Sequence, residues 1–431
     1  MIPHTDELAA AATTGPPCLL SLADLPDGHA LRRPDVGSPQ WWSWVEQTGT
    51  PLIQQWVPGR DVITFLLRDA WPGAPAVLAD IGGMGGHQDP MDNAMERVPG
   101  TDVLWCAFDT DDQWRGSYSF LPMEPGETLP DTSDPDWPEQ RRPWWLAAMR
   151  SRVRDPNNGV TIDTGRGPAV SVGSASRAPR QKVWTVDHGQ QPEVARLTWR
   201  SGVLANERSI WVQQAPGVGE PVLVVVSDGQ RWVDGLGATG ALAELHARST
   251  LPPTTYVFVD SLDHETRGRE LPCHPDYWPA LVDEALPLVA EVAPVTSVAG
   301  RTLVNGQSFG GLAAVYAGLT IPERFGNVVC QSGSFWWPDV DRWPIDGEAE
   351  QPSSLQQRVR AGELPAAGGG ARFWLSAGDG EGDMSRLGRE MTEALLGAGL
   401  SAEFEEYAGG HDWACWRGGL TDALTRILPE L

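Results

Sequence analysis

A chain of 431 residues with 41% hydrophobic content exceeds what one ordinary core supports, so two domains are expected. Its 32 Lys and Arg stand against 57 Asp and Glu, a formal net charge of -25 that repels polyanions and argues against nucleic acid or an anionic membrane as main partner. The 48 Gly and 37 Pro are spread through patterned segments, which excludes global disorder.

Cys18, Cys106, Cys273, Cys330 and Cys415 are odd in number and scattered, with no CxxC pair to point to zinc or redox chemistry. A reduced, cytoplasmic chain without a bound metal is the expectation. Residues 1–17 show neither a basic n-region nor a sustained apolar h-region, and no stretch approaches the roughly 18 apolar residues of a membrane span. Neither export nor membrane insertion is expected.

From about residue 33 to 120, short alternating runs such as 62–67 and 105–108 are separated by Gly, Pro and Asp clusters, the pattern of an antiparallel β-sandwich. Residues 115–120 read as a late strand of the same sheet. A Pro-, Asp- and Gly-rich segment over 123–192, with a short helix near 144–152, reads as the connection between domains. From about 194 the rhythm changes to apolar strand runs alternating with helical patterns, which predicts a mostly parallel α/β sheet covered on both faces. Strands are predicted at 222–227, 255–260, 302–305, 327–330 and 372–376, with helices at 279–292 and 311–319. The expected division is an N-terminal extension over 1–32, a sandwich over 33–175 and a catalytic α/β domain over 176–431.

Gly306-Gln307-Ser308-Phe309-Gly310-Gly311 fits G-x-S-x-G, with a β-branched strand before it and an Ala-rich helix after it. Small residues at 306 and 310 permit a sharp strand-to-helix turn that lifts the Ser308 hydroxyl above the sheet. There the Phe309 N–H stands ready to stabilise an oxyanion. A serine hydroxyl needs a base, and His411, the only histidine after Ser308, follows the strand-like run 402–407. For the acid that orients the imidazole, Glu381 is favoured, with Asp379 and Asp383 as alternatives after the same strand, while Asp412 adjoins the histidine. The second oxyanion donor is expected after the most apolar strand, at Gly229 within Ser227-Asp228-Gly229-Gln230-Arg231-Trp232.

Taken together, the chain resembles the enterochelin esterase family of α/β-hydrolases. The resemblance rests on the 306–311 motif, Gln331-Ser-Gly-Ser-Phe-Trp-Trp-Pro338, Gly410-His-Asp-Trp-Ala-Cys-Trp-Arg-Gly-Gly-Leu420, Glu270-Leu-Pro-Cys273 and Trp114-Arg-Gly-Ser-Tyr118. It implies an Ig-like N-terminal sandwich, a Ser308 nucleophile, a His411 base and hydrolysis of ferric tri-catecholate trilactone siderophores. The glycine, two variable residues and glutamate after the acid-bearing strand match Gly378-Asp379-Gly380-Glu381. Such a substrate is aromatic and trianionic, which calls for tryptophan surfaces and arginine charge. The candidates are Trp336, Trp337, Trp413 and Trp416 near strand ends, Arg231, Arg267, Arg269 and Arg417 in loops, and Arg115 from the sandwich. No cofactor is implied, iron arriving only within the substrate. A general carboxylester hydrolase or acyltransferase, or a non-catalytic siderophore- or glycan-binding protein, are the competing readings.

Overall fold

The computed structural model describes residues 16–86, 88–165, 167–186, 192–338, 354–364 and 370–431, so most of the extension's first half, 1–15, lies outside the described residues. Two compact units divide the chain: Met1–Arg180 with Ala408–Cys415, and Gln181–Tyr407 with Trp416–Leu431.

The first unit contains two antiparallel sheets. One joins β1 (Cys18–Leu19), β2 (Leu52–Val57), β3 (Arg60–Arg68), β5 (Glu96–Arg97) and β6 (Val103–Asp111); the other joins β4 (Val77–Ile81), β7 (Arg115–Pro122), β8 (Thr161–Ile162) and β9 (Val170–Ser174). The run at 62–67 is apolar on both faces because β3 is covered twice. Ile63, Phe65 and Leu67 join the core between the sheets, while Val62 and Leu66 pack with Trp41, Trp42 and Val45 of helix α1 (Pro39–Thr48). Helix α1 starts at Ser38, whose hydroxyl accepts from the Trp41 N–H at 3.2 Å, with Pro39 in the first turn.

Two expectations are corrected here. Strand β7 belongs to the second sheet, not to that of β3 and β6, because the chain crosses over at the turn after β6. The segment read as a connection carries helix α2 (Trp137–Ala148) and strands β8 and β9, and β9 pairs with β7, so most of it is part of the sandwich. Residues 187–191 of that segment lie outside the described residues.

The second unit is built on an eight-stranded sheet. Its strands are β10 (Ala195–Ser201), β11 (Asn206–Ala215), β12 (Val222–Ser227), β13 (Thr254–Val259), β14 (Thr302–Gln307), β15 (Asn327–Gln331), β16 (Arg372–Gly378) and β17 (Ser401–Tyr407), in the order β10-β11-β13-β12-β14-β15-β16-β17. From β13 to β17 the pairing is parallel, and β10 and β11 add antiparallel strands at one edge. Among its helices are α3 (Ala238–Arg248), α4 (His264–Glu270), α5 (Phe309–Thr320), α6 (Asp383–Gly397) and α7 (Trp413–Ile427). Helix α5 contributes Leu312, Val315 and Leu319, and α6 contributes Leu387, Met391 and Leu395, to a core shared with Val225, Val304, Val328 and Phe373 of the sheet. The helix predicted over 279–292 is present as an unbroken helical run over 277–290, made of Tyr277–Ala280, Leu281–Ala285 and Leu286–Ala290, with a widened middle stretch. Pro287 has no N–H to give, and the middle piece closes as a wide turn in which the Leu286 N–H donates to the Leu281 carbonyl.

The strand order fixes where chemistry can sit. The chain leaves β12 on one side for β13 and returns on its other side for β14, so β12 and β14 flank a switch point. Beyond their carboxyl ends the connections diverge, leaving a crevice for a ligand.

Candidate active site

Ser308 occupies the turn between β14 and α5 with φ 58° and ψ -120°. A side-chain-bearing residue at positive φ is strained, and the surroundings hold it there. Its N–H donates to the Gln331 carbonyl at 3.0 Å, and its carbonyl accepts from Leu312 at 3.0 Å and Ser334 at 3.1 Å. The hydroxyl lies 3.2 Å from the Ser334 hydroxyl. The motif's glycines are steric necessities: a Cβ at Gly306 would come within 2.0 Å of the Gly310 carbonyl oxygen. Phe309 opens α5, placing its amide at a helix N-terminus directly after Ser308.

Strand β12 ends in a similar way. Asp228 has φ 59° and its carbonyl accepts from the Arg231 N–H at 2.9 Å, so a helical turn begins at once. Gly229 follows, and a Cβ there would meet the Phe258 carbonyl carbon at 2.6 Å, which explains the glycine by packing on β13. Strand β15 ends on a third such residue, Ser332 at φ 50°. Three adjacent strands of the parallel sheet, β12, β14 and β15, thus finish in strained, side-chain-bearing turns.

Ser332 donates its hydroxyl to Glu381 Oε1 at 2.7 Å, and the same oxygen accepts from the Tyr407 hydroxyl at 2.8 Å and the Gly378 N–H at 2.6 Å. Trp416 Nε1 donates to the Ser332 hydroxyl at 2.9 Å. Glu381 is buried at the carboxyl end of β16, with three donors on one oxygen. By contrast Asp379 is exposed, and Asp383 pairs with Arg386 at 3.2 Å. Of the three carboxylates that follow β16, Glu381 alone is both buried and locked in orientation.

His411 lies between Tyr407, where β17 ends, and Trp413, where α7 begins. Its segment, Ala408–Cys415, groups with the first unit. The Arg115 N–H donates to the Ala408 carbonyl at 3.2 Å, Arg115 and Gly409 form a parallel bridge, and the Cys415 thiol donates to the Arg115 carbonyl at 3.1 Å. Asp412 accepts from the Ser117 N–H and, at 2.7 Å, from the Ala414 N–H. Burial raises its pKa, against the lowering effect of these amides. Asp412 therefore ties the loop to β7. A Cβ at Gly410 would come within 2.3 Å of the Gly83 N, so the paired glycines of Gly409-Gly410 allow this close approach.

The candidate binding residues divide. Arg267 and Arg269 stand on α4 and Arg417 on α7, not in loops as expected. Arg267 is 14% exposed and forks onto Asp228, with Nε to Oδ1 and Nη2 to Oδ2 both at 2.7 Å. Arg417 is buried, donates to Gln181 Oε1 at 2.7 Å and lies 5.9 Å from the Trp184 ring. Arg269 is exposed beside Glu270, and Arg231 is half-buried. Arg115 donates to the Ser174 hydroxyl at 3.0 Å and to the Pro179 carbonyl at 2.6 Å. Trp416 is buried as the donor to Ser332, whereas Trp336, Trp337 and Trp413 are partly exposed. Trp336 stacks at a tilt on Phe309, the ring centroids 5.4 Å apart. Sequence reasoning missed Ser332, Tyr407 and Asp228 as parts of the site. For Ser332 a signal existed in the quoted Gln331-Ser-Gly-Ser stretch directly after a strand.

Among the described residues no group of three or more His, Cys, Asp and Glu side chains is placed to hold a metal ion, and no helix is long and apolar enough to cross a membrane.

Comparison with known proteins agrees with this architecture. The family described as putative esterase matches residues 201–427, and the enterochelin esterase N-terminal family matches residues 62–184. The iron(III) enterobactin esterase of Dickeya dadantii is 39% identical over 92% of this chain and 94% of its own length. That of Escherichia coli K12 is 36% identical over 92% and 98%. The crystal structure of the Shigella flexneri enterobactin esterase in the presence of enterobactin is 34% identical, covers 92% of this chain and 99% of its own, and superposes with a TM-score of 0.77. The Salmonella typhimurium ferric enterobactin esterase gives the same identity and TM-score over 90% and 99%. An α/β-hydrolase sheet carrying a strained serine elbow, preceded by an antiparallel sandwich and matched over about nine-tenths of the chain by these relatives, places the chain in the iron(III) enterobactin esterase family.

Proposed function

We propose that the chain is a serine esterase that hydrolyses the ester bonds of a ferric tri-catecholate trilactone siderophore of the enterobactin type. The observation that carries this reading is Ser308, held at φ 58° between β14 and α5 in a chain similar over nine-tenths of its length to iron(III) enterobactin esterases.

In the proposed mechanism His411 takes the proton from Ser308 Oγ as that oxygen attacks a seryl ester carbonyl. Glu381 orients the imidazole and stabilises its protonated form. The negative charge passes to the carbonyl oxygen, where the amides of Phe309 and Gly229 receive it. Collapse breaks the ester bond, and the leaving alkoxide takes the proton back from His411, leaving an acyl-enzyme on Ser308. Water, deprotonated by His411, attacks the acyl carbon, the Ser308 oxygen leaves with that proton, and a linear product departs. Repetition gives monomers of the catechol-acylated hydroxy amino acid. Cutting the ring separates chelating arms that had been held at high effective concentration, which weakens iron binding and releases the metal.

The protein needs no cofactor in this scheme; iron is cargo of the substrate. Trp336, Trp337 and Trp413 offer aromatic faces to catechol rings, and Arg231, Arg269 and Arg115 offer charge to a trianion. The partner is thus a small molecule, and the net charge of -25 disfavours nucleic acid and anionic membranes. A cytoplasmic location fits the cysteines, none of which forms a disulfide although all five are among the described residues.

A mass-spectrometric time course with ferric trilactones and simple aryl esters tests the reading. Successive linear trimer, dimer and monomer are expected from the trilactone. Aryl ester turnover that far exceeds trilactone turnover under matched conditions would overturn the substrate assignment.

A further inference from the structure

Arg267 was expected to meet an anionic substrate, yet its guanidinium faces inward. Its two forked bonds engage both oxygens of Asp228, and Nη2 also donates to the Gln307 carbonyl at 3.2 Å. Gln307 is the residue immediately before the nucleophile. The guanidinium carbon lies 5.7 Å from the Phe309 ring, over the residue immediately after it. Asp228, 2% exposed, accepts in addition from the Ser261 hydroxyl at 2.6 Å, and Ser261 is held in turn by Gln230, whose amide donates at 2.8 Å and accepts from the Ser261 N–H at 3.2 Å. The pair therefore joins three stretches of chain at the switch point: the turn after β12, the end of β14 where the turn begins, and the middle of α4. It spans the two strained turns that carry the proposed oxyanion donors, Gly229 and Phe309. Burial works against the charge of Arg267, and Asp228 more than offsets it, so the cation persists inside.

We infer that the Arg267–Asp228 pair is a positioning brace that sets the spacing between the two oxyanion donors, and that it governs the turnover rate of every ester the enzyme accepts without governing affinity for the anionic substrate. The inference rests on the proposed roles of Ser308, Phe309 and Gly229. Donors aimed at a developing oxyanion act only at their designed distance, and a shift of a few tenths of an ångström in one turn relative to the other weakens them in the transition state while leaving ground-state binding alone. A bidentate fork is what an arginine provides and a lysine does not.

The test compares Arg267→Lys and Asp228→Asn with the wild type on a ferric trilactone and on a neutral aryl ester, with rates divided by the concentration of serine titrated by a fluorophosphonate. Both variants retain side-chain volume and a polar contact, and normalising to reactive serine removes any unfolded fraction. For the brace, kcat falls by about 10² on both substrates, as for loss of one oxyanion donor, and KM stays within about 3-fold. A rise in KM for the ferric trilactone with unchanged turnover of the neutral ester would overturn the inference and make Arg267 an anion-binding residue. Unchanged kcat per titrated serine, whatever the loss of thermal stability, would overturn it as well. If the wild type hydrolyses the neutral ester but ignores ferric trilactones, the substrate reading falls and the brace is still judged on the neutral ester.

Discussion

Ser308 and His411 both follow strands of the same sheet, but their backbones are secured differently. The serine turn is held by its own sheet and helix: Gln331 accepts from its N–H, Leu312 and Ser334 donate to its carbonyl, and flanking glycines let the turn close. The histidine loop leaves β17 and is bonded to β7 of the sandwich through Ala408, Gly409, Asp412 and Cys415. The turn at Ser308 is thus prepared locally by backbone strain, whereas the loop that carries His411 is held by residues some three hundred positions away in the sequence.

The largest effect should come from the locally prepared side. Ser308→Ala removes the attacking oxygen, and kcat for ferric trilactone should fall by at least about 10³, with circular dichroism and thermal unfolding unchanged. Next, Glu381→Gln should lower kcat by about 10²–10⁴, because an amide donates where the hydroxyls of Ser332 and Tyr407, and in the proposed mechanism the His411 imidazole, need an acceptor. Asp379→Asn and Asp383→Asn should stay within about 2-fold in the same assay, as Asp379 is exposed and Asp383 pairs with Arg386.

The recruited side is tested through Asp412. Asp412→Ala leaves the Ser117 and Ala414 amides without their acceptor and should cost about 1–3 kcal/mol in urea unfolding. Its pH dependence has a definite sign. Burial raises the folded-state pKa above the unfolded value of about 3.9, so the folded protein holds that proton more tightly. The stabilisation is full below the unfolded pKa and is lost as pH rises through the folded one. The stability advantage of the wild type over Asp412→Asn should therefore shrink as pH rises from about 4, and an advantage that grows with pH there would contradict the burial argument. A smaller effect than at Ser308 or Glu381 is expected at the partly exposed aromatics: Trp336→Ala should raise KM for ferric trilactone about 3–10-fold, read from initial rates, with kcat little changed.

The parallel strands β12 to β16 were legible because each is a compact, largely apolar run ended by Gly, Asp or Ser, whereas β17, Ser-Ala-Glu-Phe-Glu-Glu-Tyr, is mostly charged and was read only as strand-like. Strands β10 and β11 were not, since Ala-Arg-Leu-Thr-Trp-Arg-Ser and Asn-Glu-Arg-Ser at an antiparallel edge mix charge with apolar residues. Strand β9, Val-Ser-Val-Gly-Ser, was hidden in a segment whose Pro and Gly content read as linker. At the site, the elbow was legible because strand, turn and helix are contiguous in sequence. The surroundings of Glu381 and the anchoring of the histidine loop were not, because they rest on pairs 49 and 295 residues apart. Arg267 read as a surface cation for the same reason: nothing in a sequence shows that a carboxylate 39 residues upstream meets it inside the fold.

The central claim is that ester cleavage proceeds through a covalent bond to Ser308, and trapping that bond tests it most directly. Enzyme mixed with excess ferric trilactone, quenched in acid within the first turnover and digested, should yield the 308-containing peptide carrying one linear trimer acyl group that disappears at later times. Full turnover with that peptide unmodified at every time point, or the acyl group found on another residue, would contradict the account.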